Sequence, residues 1–230
     1  MSMMVSSKKS DSYQGNSPLG CLYTPKELEE IFYLFSLKWP SPKGELYYVN
    51  HFTLIVAVLL SAQSTDVNVN KATKHLFEIA DTPQKMLAIG EKKLQNYIRT
   101  IGIYRKKSEN IISLSHILIN EFDNKIPQTL EGLTRLPGIG RKGANVILSM
   151  AFGIPTIGVD THIFRISNRI GLAPGKTPNK VEQSLLRIIP PKHQYNAHYW
   201  LVLHGRYVCK ARKPQCQSCI ISNLCKRIKQ

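Results

Sequence analysis

Apolar residues recur at helical spacing along nearly the whole chain, and no stretch alternates apolar and polar positions between hairpin turns. Helix starts are marked by caps. Thr24-Pro25-Lys26-Glu27 sets a capping hydroxyl before a proline at the first helical position and predicts an amphipathic helix to about Leu37, broken by Pro40 and Pro42. Residues 51–62 predict a helix apolar on nearly every face, the pattern of a buried element. Thr65 or Asp66 caps the next, which runs to about Ile79. Thr82-Pro83 starts a helix ending near Ile89-Gly90, and a short one follows over 91–99, stopped at Gly102. Residues 106–122 carry Ile111, Leu114, Leu118 and Phe122 on one face. Short helices are expected at 128–135 and 141–152, then at 161–169, 179–188 and 194–208. The last 22 residues lack periodicity. The result is an all-α fold of about ten short helices. Ile101–Lys106 echoes Pro137–Lys142 at an offset of 36, either two similar helix–turn–helix units or a chance match.

The 230 residues suffice for one large core or two modest ones. Thirty-one lysines and arginines oppose 15 acids, a net charge of +16. Residues 161–230 hold 13 of the basic residues and one acid, Glu182. A field this one-sided attracts polyanions. A phosphate backbone fits it better than a membrane surface, because no basic amphipathic anchor helix stands out. The longest apolar stretch, Phe52 to Leu60, is far short of the ~20 residues of a membrane span. The first 20 residues have no apolar core of a secretory signal, and they carry Asp11 and no arginine, unlike a transit peptide. Residues 1–23 are expected to form a flexible tail that joins no core. A cytoplasmic, nucleoid-associated monomer with no membrane partner is the expectation.

Two motifs carry chemistry. Leu136-Pro137-Gly138-Ile139-Gly140-Arg141-Lys142 lies between two helices. Gly138 and Gly140 permit positive φ and close backbone approach, and the amides opening the next helix point outward with the positive end of its dipole behind them. Such a loop grips phosphate without reading bases. A bare glycine pair is equally a tight turn between helices; Arg141-Lys142 favours the phosphate reading. Cys209, Cys216, Cys219 and Cys225 place four thiols in 17 residues. Without a secretory signal these imply a metal or cluster rather than disulfides. Zinc sites usually pair two C-x2-C knuckles and only one exists here, so zinc and iron–sulfur both remain open on spacing alone. Cys21 is a spare thiol. Asp160 sits at the N-cap of the 161–169 helix, where a plain capping role would suffice, and His162 near that start is a phosphate contact or structural.

The hairpin motif, Val159-Asp160-Thr161-His162, Leu60–Asp66, His204–Tyr207 and the cysteine spacing together resemble the helix-hairpin-helix DNA glycosylase/AP lyases of the endonuclease III family. The similarity runs from about Thr24 to Lys226. It implies two helical lobes flanking a DNA-binding cleft. One is a six-helix barrel lobe at 44–154 with the helix-hairpin-helix; the other combines 24–43 and 155–230 around a [4Fe–4S] cluster held by the four cysteines. The resemblance makes Lys142 the nucleophile at the sugar C1′ of a damaged nucleotide and Asp160 the carboxylate that stabilises positive charge on the sugar. An amine must be unprotonated to attack, which a helix N-terminus beside Arg141 and away from bulk water favours. It makes Gln63 the filler of the hole left by an extruded nucleotide and Ile103 the wedge in the opposite strand, with Gly138, Gly140, Arg141 and His162 as further DNA contacts. The implied partner is duplex DNA with oxidised or ring-damaged pyrimidines or abasic sites, cleaved 3′ to the lesion by β-elimination. Two positions depart from the family pattern: Ile103 stands where leucine is common and Gly143 where threonine is. A monofunctional mismatch glycosylase would lack Lys142, and a non-catalytic DNA-binding module would not need Lys142 and Asp160 together.

Overall fold

The structure is a computed structural model that describes residues 20–227. Among these residues there are ten α-helices and no strand. They are α1 (Pro25–Lys38), α2 (His51–Ser61), α3 (Asp66–Ile79), α4 (Pro83–Ile98), α5 (Tyr104–Phe122), α6 (Leu130–Thr134), α7 (Arg141–Phe152), α8 (Thr161–Arg169), α9 (Pro178–Ile188) and α10 (Gln194–Leu203). Side-chain caps start most of them. Thr24, Thr65, Thr82, Thr129 and Thr177 each accept from an amide in the first turn, and Asn50 does so for α2. None of the described helices is long and apolar enough to cross a membrane.

Two hydrophobic cores form. The first is built on α2, whose residues Phe52 to Leu60 are all buried, with α3 to α7 packed around it. The second joins Tyr23 and α1 to Ile157, Val159, α8, α9 and α10. Each fully buried Leu, Ile or Phe contributes about 1.5–3 kcal/mol by leaving water. A helix that is apolar all round belongs at a centre, which is why α2 has no wet face.

The break expected at Gly90 is present inside the α4 span, where Gly90 at φ 73° and ψ 161° leaves the helical region and kinks the two helical pieces against each other; other ends differ. The expected 194–208 helix ends at Leu203 and continues as a wider π turn over His204–Val208. The echo between Ile101–Lys106 and Pro137–Lys142 holds for element order, since each segment links two helices, but not for backbone. Ile103 is left-handed at φ 52° and 65% exposed, whereas Ile139 is buried.

The expected tail needs correction at its end. Residues 1–19 lie outside the described residues, but Tyr23 is fully buried in the second core. Its hydroxyl donates to the Ile170 carbonyl at 2.8 Å and accepts from the Lys226 amide at 3.0 Å. Burial pushes the phenol up to about 12, so the hydroxyl keeps the proton it donates. The start of the described chain is therefore pinned to its end. Replacing Tyr23→Phe leaves both backbone groups without this partner. A loss of about 1–3 kcal/mol in denaturant-melt stability is expected, with the helical content at low denaturant unchanged.

Candidate active site

The site is assembled by a short return of the chain. α7 ends at Gly153, a left-handed C-cap at φ 65° that turns the backbone around. The segment 154–160 then runs back along α7. The Thr156 hydroxyl donates to the Asn145 carbonyl at 2.6 Å, and the Asn145 amide reaches the Ile157 carbonyl at 3.4 Å. Gly158 comes so close that a Cβ there would lie 2.8 Å from the Lys142 carbonyl oxygen and 2.8 Å from Val146. The return ends at Asp160, the N-cap of α8, whose carboxylate accepts from the Ile163 amide at 2.8 Å.

Lys142 and Asp160 consequently line one cavity of about 110 Å³, together with Ser61, Asp66, His198 and Arg206. Lys142 is exposed, so the shielding from water expected from the sequence is not supplied by the protein alone. His198 is buried in the cavity wall, and its Nδ1 has no hydrogen-bond partner among the described residues. Burial pushes this imidazole down to about 4, with Asp160 pulling it up and Lys142 pulling it down, so it is neutral at neutral pH. The rim is tied by charge. Arg206 pairs with Glu45 and, at 3.1 Å, with Asp66, while the Tyr207 hydroxyl donates to Glu45 at 2.5 Å. Asp66 is the first residue of α3, in the first core, and Arg206 follows α10, in the second, so this network spans the cleft.

The hairpin behaves as a backbone site. Gly138 is at φ 84°, and a Cβ would meet Leu59 at 2.8 Å and Asn110 at 2.9 Å, so only glycine fits. Gly140 has an ordinary φ of −88° and does not use the freedom expected of it. It faces open space and caps α7 without a side chain, which leaves the first-turn amides to a ligand. Gly143, one of the two departures, packs under Val58; a Cβ there would lie 3.3 Å from its methyl. Arg141, expected on phosphate, bonds the buried carboxylate of Glu182 through Nε at 3.1 Å and Nη2 at 2.6 Å. His162 packs under Gly205 and lies 3.3 Å from an Arg165 nitrogen. Gln63 is exposed at φ 57° and Ile103 at φ 52°, both in the left-handed region that non-glycine residues avoid.

Cys209, Cys216, Cys219 and Cys225 are free thiols that line a second cavity of about 290 Å³. Among the described residues no three acidic, His or Cys side chains close on a point that would hold a single ion. Four cysteine sulfurs lining one cavity are the donor set of an iron–sulfur cluster. Arg169 donates to the Cys209 sulfur at 3.7 Å, as donors to cluster thiolates do. These residues fit an iron–sulfur cluster.

The described residues thus combine an all-helical fold, a glycine hairpin with an open helix N-terminus, one cavity lined by both Lys142 and Asp160, and another lined by four cysteines. The family described as HhH-GPD superfamily base excision DNA repair protein matches residues 56–191, and the iron-sulfur binding domain of endonuclease III matches residues 209–225. Endonuclease III of Rickettsia conorii is 54% identical over 198 residues, 86% of this chain and 94% of the relative. That of Escherichia coli is 52% identical over 186 residues, 81% and 88% of the two chains. A solved non-covalent endonuclease III–DNA complex superposes with a TM-score of 0.83 at 41% identity, over 89% of this chain and 96% of that one. The chain belongs to the HhH-GPD superfamily of base excision DNA repair proteins, and within it is a DNA glycosylase/AP lyase carrying a [4Fe–4S] cluster.

Gly158→Ala tests the close approach on which this geometry stands. The new methyl has to push backbone from backbone, so a stability loss of about 1–3 kcal/mol is expected. Cleavage of abasic DNA should fall further than the fraction unfolded accounts for, measured at a temperature where the variant is folded by circular dichroism.

Proposed function

We propose that the enzyme removes oxidised or ring-damaged pyrimidines from duplex DNA and cuts the strand through Lys142. The unprotonated amine attacks C1′ of an extruded nucleotide, and the base leaves with the electron pair of the glycosidic bond. The nitrogen lone pair then expels O4′, which takes up the proton the amine loses, so the sugar ring opens as the imine forms between Nζ and C1′. The imine acidifies the C2′ proton; its removal expels the 3′ phosphate by β-elimination. Asp160, fixed by the α8 amide that donates to it, offsets positive charge on the sugar during base departure. Duplex DNA closing over the exposed Lys142 supplies the dry surroundings that the free protein lacks.

Gly138, Gly140 and the open first turn of α7 grip phosphate, joined by His162. Arg141 acts chiefly by holding Glu182, with its guanidinium edge left for DNA. Gln63 fills the vacated stack and Ile103 wedges the other strand. Cys209, Cys216, Cys219 and Cys225 hold the [4Fe–4S] cluster, which fixes the basic loop of Lys210, Arg212 and Lys213 against the duplex. All these groups come from one copy of the chain, so a monomer in the compartment that holds DNA suffices. We also propose the division into lobes at 44–154 and at 24–43 with 155–230, which the two separate cores support.

The observation that carries this reading is that Lys142 and Asp160, from different helices, line one cavity. Borohydride reduction on duplex DNA with an abasic site tests it. Covalent trapping by the native protein is expected, with none in Lys142→Ala and DNA affinity retained. Asp160→Asn should slow base release by about 10²-fold or more. Base release by a native protein that is never trapped would mean a monofunctional glycosylase; binding without either would mean a non-catalytic module.

A further inference from the structure

Lys107 is buried to 3% exposure, yet it lies in the first turn of a helix that begins at the protein surface. Its ammonium donates to the Leu60 carbonyl at 2.9 Å and to the Ala62 carbonyl at 2.6 Å. These oxygens close the C-terminal end of α2, where the helix dipole is negative. The Ala62 carbonyl also belongs to the peptide unit that leads directly into Gln63. At its other end, the Lys107 amide donates to the Ile103 carbonyl at 3.1 Å. That second bond is the backbone bond that opens α5, so the Lys107 side chain ties the peptide before Gln63 to the helical turn that carries Ile103. These are the two exposed, left-handed residues of the DNA-facing turns. A parallel tie runs beside it: the Asn68 amide donates to the Thr100 carbonyl at 3.0 Å and reaches the Ser64 hydroxyl at 3.3 Å.

We infer that Lys107 is a positioning residue for strand opening: it clamps the Ala62–Gln63 and Ile103–Tyr104 turns together, so that the filling side chain and the wedging side chain enter the duplex as one unit. An apolar side chain would fill the same volume. It has no donor, whereas the ammonium satisfies the Leu60 and Ala62 carbonyls together, the second of them just before the left-handed Gln63. Burial draws the amine down from its usual range, and the carbonyl dipoles, not a surface charge, hold it in place. The inference rests on the proposed entry of Gln63 and Ile103 into DNA.

The test uses the full chain with its cluster and two substrates. One is a duplex with an oxidised pyrimidine, which requires opening; the other is a single-stranded abasic oligonucleotide, which does not. Lys107→Met should lower the single-turnover trapping rate on the duplex by about tenfold or more and leave the single-stranded rate within about twofold, since small misplacements of positioning groups cost large factors. Fluorescence of 2-aminopurine opposite the lesion should fall in parallel. With Gln63 and Ile103 both replaced by alanine, adding Lys107→Met should change the duplex rate by less than about twofold, because the three then act as one unit. Equal loss on both substrates makes Lys107 a purely structural residue and overturns the inference, as does an unchanged duplex rate. If Lys107→Met does not fold, Lys107→Gln, which keeps a donor for one carbonyl, decides by the same comparison. If the Gln63→Ala, Ile103→Ala protein opens the duplex like wild type, the entry reading itself fails. If that protein is impaired and the Lys107 variant is not, only the clamp fails.

Discussion

Backbone meets backbone at Gly158, and the site depends on that contact. α7 belongs to the first core and the segment after it to the second, so the return over 154–160 is where one half of the molecule is fastened to the other. The fastening needs a residue without a side chain, because the Lys142 carbonyl oxygen occupies the place a Cβ would take. Two hydrogen bonds through Asn145 and Thr156 keep the return in register, and the chain leaves it directly into the Asp160 cap. A separation of 18 residues along the chain thus becomes a shared cavity without any long loop.

Charge is distributed to serve the same cleft. The basic last third contains one acid, and that acid is buried against Arg141 rather than exposed among the cations. The outward field of the α9–cysteine-loop side is therefore left positive, as a polyanion requires. Acids near the cleft mouth are spent in the same way, Glu45 and Asp66 on Arg206. Among the described residues, Lys142 and Asp160 line the cavity without an ion-pair partner, beside the neutral His198, a set suited to proton movement and sugar charge.

Local signals made much of this legible. Threonine-proline pairs and the Asp160 cap set helix starts, since capping is decided within four residues. Apolar patterning marked α2 as buried, and the hairpin glycines and cysteine spacing were visible because each is a compact chemical motif. What stayed hidden depends on distant partners. Tyr23 sits in a segment of serines and glycines whose composition reads as tail, and only its bonds to Ile170 and Lys226 bury it. Arg141 reads as a phosphate contact until Glu182, 41 positions away, claims it. Lys107 stands in a run of surface-like cations, and nothing local tells it from Lys106, which pairs with Glu109 in solvent. His198 and the Arg206 network are likewise set by fold, with no spacing to announce them.

The central claim is that the amine at position 142 forms the bond to the sugar. Proteolytic mapping by mass spectrometry of the borohydride-reduced complex with abasic DNA reads that bond directly. A sugar adduct confined to the peptide bearing Lys142 is the expected result. An adduct on another lysine or on the terminal amine, with Lys142 unmodified, would contradict the account.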